Sequence, residues 1–138
     1  MGIVEKLSQA YYVDLRVNSR LQRLEALKAL ATKATTTFSA EPVTGTRDPH
    51  KMDKVIAKIV DLEREVNEDI DRLVELKLEL RILIAEIPFR NCQLVLELRY
   101  LNFMKWHQVA DSMGCSVRTV HNIHKKAIKF LEENGAES

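Results

Sequence analysis

Apolar residues recur at alternating steps of three and four through the middle of the chain. With Met52 at heptad position a, the a series is Met52, Ile59, Val66, Leu73, Leu80 and Ile87. The d series is Val55, Leu62, Asp69, Leu76 and Leu83, so ten of the eleven positions are apolar, with no Gly or Pro between them. Heptads sustained over that length predict a coiled-coil-like helix rather than a plain surface helix. At 1.5 Å per residue it would run for about 55 Å. Ile56, Ile70 and Ile84 add an apolar e-side row, which implies burial against more than one neighbour. Asp69 breaks the d series. It is either a register device or the point where the stripe shifts to Ile70.

The same period marks a helix from Ile3 to about Thr35. Ile3, Leu7, Ala10, Val17, Leu21, Leu24 and Ala31 form its stripe, widened by Tyr11, Leu15, Leu27 and Leu30. Arg16, Arg20 and Arg23 lie on a more polar side, where solvation is the expected state and phosphate contact the alternative. Thr35, Thr36 and Thr37 weaken the helix, and Phe38 to His50, with Pro42, Gly45 and Pro49, reads as a loop. Asp48 as N-cap and Pro49 as first helical residue would start the heptad helix. Folding the first helix back on it gives an antiparallel hairpin; another copy of the chain is the second candidate neighbour. Pro88 ends the rod, Asn91 caps a third helix through Tyr100 with Leu94, Val95 and Leu98 facing inward, and Asn102 and Phe103 turn the chain. The tail from Glu132 is expected to fray.

From Met104 to Leu131 the spacing is that of a helix-turn-helix. Ala110 is small enough for close helix packing, Gly114 permits a left-handed turn, and Val120 and Ile123 close a core over the first helix. Ser116 is suited to cap a second helix over Val117–Leu131. Opposite the apolar face, Arg118, His121, Asn122, Lys125 and Lys129 form one polar stripe at offsets 0, 3, 4, 7 and 11. Ser116 to Leu131 holds four Lys or Arg and no acid. Arg can fork to guanine O6 and N7, Asn can pair with adenine, and Lys can hold phosphate. Arg118, His121 and Asn122 are therefore the candidates for base edges, and Ser116, Thr119, Lys125 and Lys129 for phosphate. A merely solvated face on an ordinary C-terminal helix is the plainer alternative.

Composition sharpens this picture. The chain has 138 residues, 46% hydrophobic but only 6% aromatic, and just four Gly and three Pro, which favours an aliphatic, helical core. Net charge is only +1, yet it is unevenly spread. Residues 51–88 carry seven Lys/Arg against ten Asp/Glu, whereas residues 89–138 carry seven against five, so an anionic partner is expected at the C-terminal end. Cys92 and Cys115 resemble neither a disulfide framework nor a metal knuckle; buried, reduced thiols are expected. His121 and His124, three apart near Cys115, lack the further ligands zinc requires. Of these two, His121 is the one expected to offer a hydrogen bond or partial charge toward DNA, and His124 is taken as exposed. Trp106 reads as core rather than as a stacking platform. No glycine-rich phosphate loop, nucleophile elbow or paired-His motif appears, so neither an enzyme nor a cofactor is expected. No signal-peptide core or transmembrane run is present, and a cytoplasmic setting is expected.

Residues Ile87 to Leu131 resemble region four of bacterial sigma factors. The matching segments are Ile87-Pro88, Leu96-Glu97-Leu98-Arg99-Tyr100, His107-Gln108-Val109-Ala110, Gly114-Cys115-Ser116 and Lys125-Lys126-Ala127-Ile128. Trp106 stands where Leu is common, and His107 and Gln108 where acids are common, so the likeness is not to a true sigma subunit. With its helical N-terminal part, the whole chain resembles small phage-encoded transcriptional regulators of the ArpU and RinA type. The resemblance implies promoter DNA as ligand and host RNA polymerase as partner. The expectation is thus an all-α protein with a helical hairpin over residues 1–87 that serves to oligomerise as a dimer or to bind a partner. A helix-turn-helix DNA-binding domain over residues 88–138 follows it. Two rivals stand beside a promoter-binding regulator: a small-terminase-like packaging protein that oligomerises through its coiled coil, and an adaptor using the C-terminal helices for protein contact only.

Overall fold

The computed structural model describes residues 2–40 and 49–134, without the side chains of residues 34–40 and 49. Five α-helices follow one another among the described residues: α1 (Ile3–Ala40), α2 (Pro49–Ala85), α3 (Arg90–Leu96), α4 (Trp106–Met113) and α5 (Val117–Glu133). No strand occurs among the described residues, and the protein is all-α.

The first helix continues past Thr35 to Ala40, so the expected loop loses Phe38, Ser39 and Ala40 to helix. Threonine costs a helix only a few tenths of a kcal/mol per residue, too little to stop one already 32 residues long at that point. The remainder of that loop, with Asp48 as the expected cap, lies outside the described residues. Pro49 opens α2 as its position at the start of the heptads predicts. Helix α2 stops at Ala85, where Glu86 and Ile87 N–H groups tighten onto the Leu83 and Ile84 carbonyls. Pro88 then excludes a further helical residue at 87. The carbonyl of Ile87 accepts from Gln93 Nε2 at 2.7 Å, which ties the bend to α3.

By compactness the chain divides into two units, Leu15–Asp71 and Met1–Asp14 together with Arg72–Ser138. The division falls within α1 and α2 rather than at the Ile87–Pro88 bend. The reason is a shared core. Ile3, Leu7 and Ala10 of α1, the run from Leu76 to Ile87 on α2, and Cys92, Leu96, Tyr100, Ala127 and Leu131 form one buried cluster. A second cluster in the same unit joins Val95, Val109, Ala110 and Val120, flanked by Leu98, Trp106 and Ile123.

In Leu15–Asp71 the two helix segments run antiparallel. Arg16 and Arg20 of α1 pair with Asp69 of α2, Arg20 with Glu65, and Lys28 with Glu63. Val17, Leu24, Leu62 and Val66 are the buried apolar residues here among those described. Asp69, the break in the d series, is only 6% exposed and receives both arginines, with Arg16 Nη2 3.0 Å from its Oδ1. Arg16 and Arg20 are therefore ion-paired instead of simply solvated. Tyr11, Leu15 and Leu30, expected to widen the α1 stripe, are exposed, and of the e-side row only Ile84 is buried.

Helix α3 starts at Arg90, one residue before the expected cap; Phe89 takes the cap position without a side-chain bond. Asn91 Oδ1 instead accepts from the Cys92 N–H at 2.8 Å. The run Cys-Gln-Leu-Val-Leu offers two overlapping faces. The one that turns inward is Cys92, Val95 and Leu96, leaving Leu94 42% exposed. A π-helical turn over Glu97–Leu101 follows, closed by Asn102 N–H to the Glu97 carbonyl at 3.0 Å. Its wider turn keeps Tyr100 on the buried face below Leu96.

Candidate nucleic-acid interface

The turn between α4 and α5 is built from three residues whose roles are local. Gly114 adopts φ 68°, ψ 36°, and the Cys115 N–H reaches back to the Ala110 carbonyl at 3.1 Å. A Cβ on Gly114 would meet nothing within 4 Å, so the requirement for glycine is conformational, not steric. Ser116 Oγ accepts from the Thr119 N–H at 3.1 Å, satisfying one of the free donors that open α5. At the start of α4, the Lys105 N–H donates to Gln108 Oε1 at 2.8 Å. Val109, Ala110, Val120 and Ala127 are buried between the helices and the rest of the unit. The helix-turn-helix arrangement is held from both ends.

These contacts fix which way α5 faces. Ser116, Arg118, Thr119, His121, Asn122, Lys125 and Lys129 are all exposed. Their environments differ. Ser116 and Thr119 share a hydroxyl contact of 2.9 Å. Lys129 Nζ lies 4.0 Å from Glu133, an exposed pair worth little. Among the described residues, no hydrogen bond or ion pair occupies the side chains of Arg118, Asn122 or Lys125. The fourth cation, Lys126, sits over the Phe89 ring at 3.9 Å, off the stripe.

His121 is backed by Trp106, with ring centroids 4.7 Å apart. Trp106 in turn carries the Arg99 guanidinium 4.5 Å above its ring and meets His124 edge-on at 4.9 Å. His124, expected to be exposed, is half-buried and hydrogen-bonded to the Tyr100 hydroxyl at 2.7 Å. Burial, then the nearby His121 and Arg99, lowers its pKa to about 4. It is neutral at pH 7 and adds no charge to the stripe. Burial also raises the Tyr100 pKa, so one of the two neutral rings donates to the other. Trp106 is half-buried and packs against the second core, in keeping with its reading as a core residue.

Sequence reasoning missed Arg99 as the side chain that clamps this cluster; its Nη1 also donates to the Met104 carbonyl at 2.9 Å. Nothing in the pattern could have supplied it, since the contact crosses a turn whose geometry has no period. Cys92 is buried as expected, whereas Cys115 is partly exposed. No group of three or more potential metal ligands occurs among the described residues, and no described helix is long and apolar enough to cross a membrane.

Fold and surface together define an all-α protein whose C-terminal module presents one exposed cationic helix face. The chain belongs to the DUF1492 family, described as proteins of unknown function, which matches residues 33–132. No curated protein and no solved structure matches it.

Proposed function

We propose that this protein is a sequence-specific double-stranded DNA-binding transcriptional regulator, encoded by a phage or prophage and acting at promoters. The observation that carries the reading is the state of α5: Arg118, Asn122 and Lys125 stand exposed on one face with no hydrogen-bond or ion-pair partner among the described residues. Forked and amide donors free of internal bonds are what base edges in a major groove require, and a lysine beside them suits phosphate. Trp106 and Arg99 brace His121 from behind, so the face is stiffened before any ligand arrives. Promoter action and contact with host RNA polymerase rest on the likeness to sigma region four. A dimer, with two recognition helices on repeated half-sites, would raise affinity through effective concentration.

The test is selection of bound duplexes from a random pool, then footprinting with and without RNA polymerase. Arg118→Ala should lose discrimination at one base pair by about 1–3 kcal/mol. A variant that selects the same site with the same affinity would overturn the assignment of Arg118 to a base edge.

A further inference from the structure

A recess of about 190 Å³ opens between the start of α1 and the turn before α4, within one compact unit. Ser8, Tyr11, Tyr12, Arg99, Phe103 and Lys105 line it. The rings are arranged as a corner: Tyr11 meets Tyr12 edge-to-face at 5.6 Å and Phe103 at 5.8 Å. Phe103 holds φ 58°, a left-handed conformation that a bulky residue rarely takes and that costs about 1–2 kcal/mol. Backbone bonds around it, from Asn102 N–H to Glu97 and Met104 N–H to Leu98, keep it there. Arg99 and Lys105 add two cations to the lining. Among the described residues, no carboxylate pairs with Arg99 or Lys105.

We propose that this recess is a binding site for a small aromatic acid, its single ring against Tyr11, Tyr12 and Phe103 and its carboxylate toward Arg99 and Lys105. Size decides the ring count. A cavity of about 150 Å³ accepts benzene, and sites for drug-sized ligands begin near roughly 300 Å³. A recess of about 190 Å³ therefore suits one ring with an acid group and excludes a nucleotide. Aromatic rings alone would take a neutral ligand equally well; two cations with no carboxylate partner among the described residues select the anion. Arg99 also lies over Trp106, the one tryptophan of the chain, so occupancy of the recess is reported by its emission. The site does not depend on the DNA-binding reading, and its test uses no DNA.

The full chain is titrated with benzoate and 4-hydroxybenzoate, with benzyl alcohol and acetate as the neutral and ring-free comparisons. Trp106 fluorescence and ligand-observed NMR are both recorded. The aromatic acids should bind saturably and at least about tenfold more tightly than either comparison. Lys105→Met and Tyr12→Ala, at exposed positions, should each weaken binding about tenfold. Lys125→Ala on α5 should leave it unchanged. Absence of saturable binding by both methods would overturn the proposal. So would acetate binding as well as benzoate, or loss of binding in Lys125→Ala alone, which would move the acid to the α5 stripe.

Discussion

The described residues of 15–71 and those of 90–133 are both mainly helical, but they are specified by different means. In the first region the described apolar burial amounts to Val17, Leu24, Leu62 and Val66, and the register is marked by Asp69 between two arginines. In the second, Cys92, Val95, Leu96, Val109 and Val120 are completely buried, and every helix end has a defined backbone or side-chain closure. Long helices with few buried contacts rely on repetition and on charged pairings, chief among them the buried Asp69 with two arginines, for their alignment. Short helices have no repetition to rely on, so caps and a close-packed core must place them. The candidate DNA-binding face is carried by the second kind of structure, which suits a surface whose donors must be aimed.

The largest expected effect comes from the two cores. Leu96→Ala, at a fully buried site within a large core cluster, should cost about 3–5 kcal/mol in urea unfolding, whereas Leu62→Ala, 6% exposed and outside both core clusters, should cost about 2. Equal losses would remove the contrast between the regions. Asp69 sharpens it further. Asp69→Ala should destabilise by about 1–2 kcal/mol, below the roughly 3–5 of a fully buried pair, because Arg16 and Arg20 can turn to water. Asp69→Leu, which completes the heptad series, should be neutral or mildly stabilising while permitting slipped alignments. If Asp69→Leu proves as damaging as Asp69→Ala, the carboxylate is contributing stability and not alignment.

An effect no larger than that of Asp69→Ala is a pH dependence. His124 has its folded pKa depressed to about 4 from an ordinary 6.5, so between those values the unfolded chain binds the extra proton. Stability is then fully present above pH 6.5, falls as pH drops toward 4, and loses nothing further below that. One pKa unit corresponds to about 1.4 kcal/mol. Partial solvent access to the ring reduces the total to about 1–2 kcal/mol. Thermal melts of His124→Gln should lack that slope; a slope equal to that of the unaltered chain would assign it to other groups.

What could be read from the sequence was local or periodic. Gly114 and Pro49 declare their roles through backbone preference and Ser116 through its capping hydroxyl, and the outward face of α5 follows from the spacing of Val120, Ile123 and Ala127. Asp69 announced an anomaly, though its arginine partners 49 and 53 residues away did not. Where an apolar run offered two faces, as at Cys92–Leu96, periodicity could not choose. Tertiary neighbours did, and Leu94 was left outside. The Arg99–Trp106–His121 brace, the Tyr100–His124 hydrogen bond and the left-handed Phe103 all depend on how residues 97–106 turn, and turns carry no period to read.

If the α5 stripe meets a phosphate backbone as proposed, duplex binding must depend on salt through its lysines. With the selected duplex, Lys125→Ala should weaken binding to all sequences alike and reduce the slope of log K against log salt by about 1. An unchanged slope, or a full-length chain that binds no duplex even at low salt, would contradict the account.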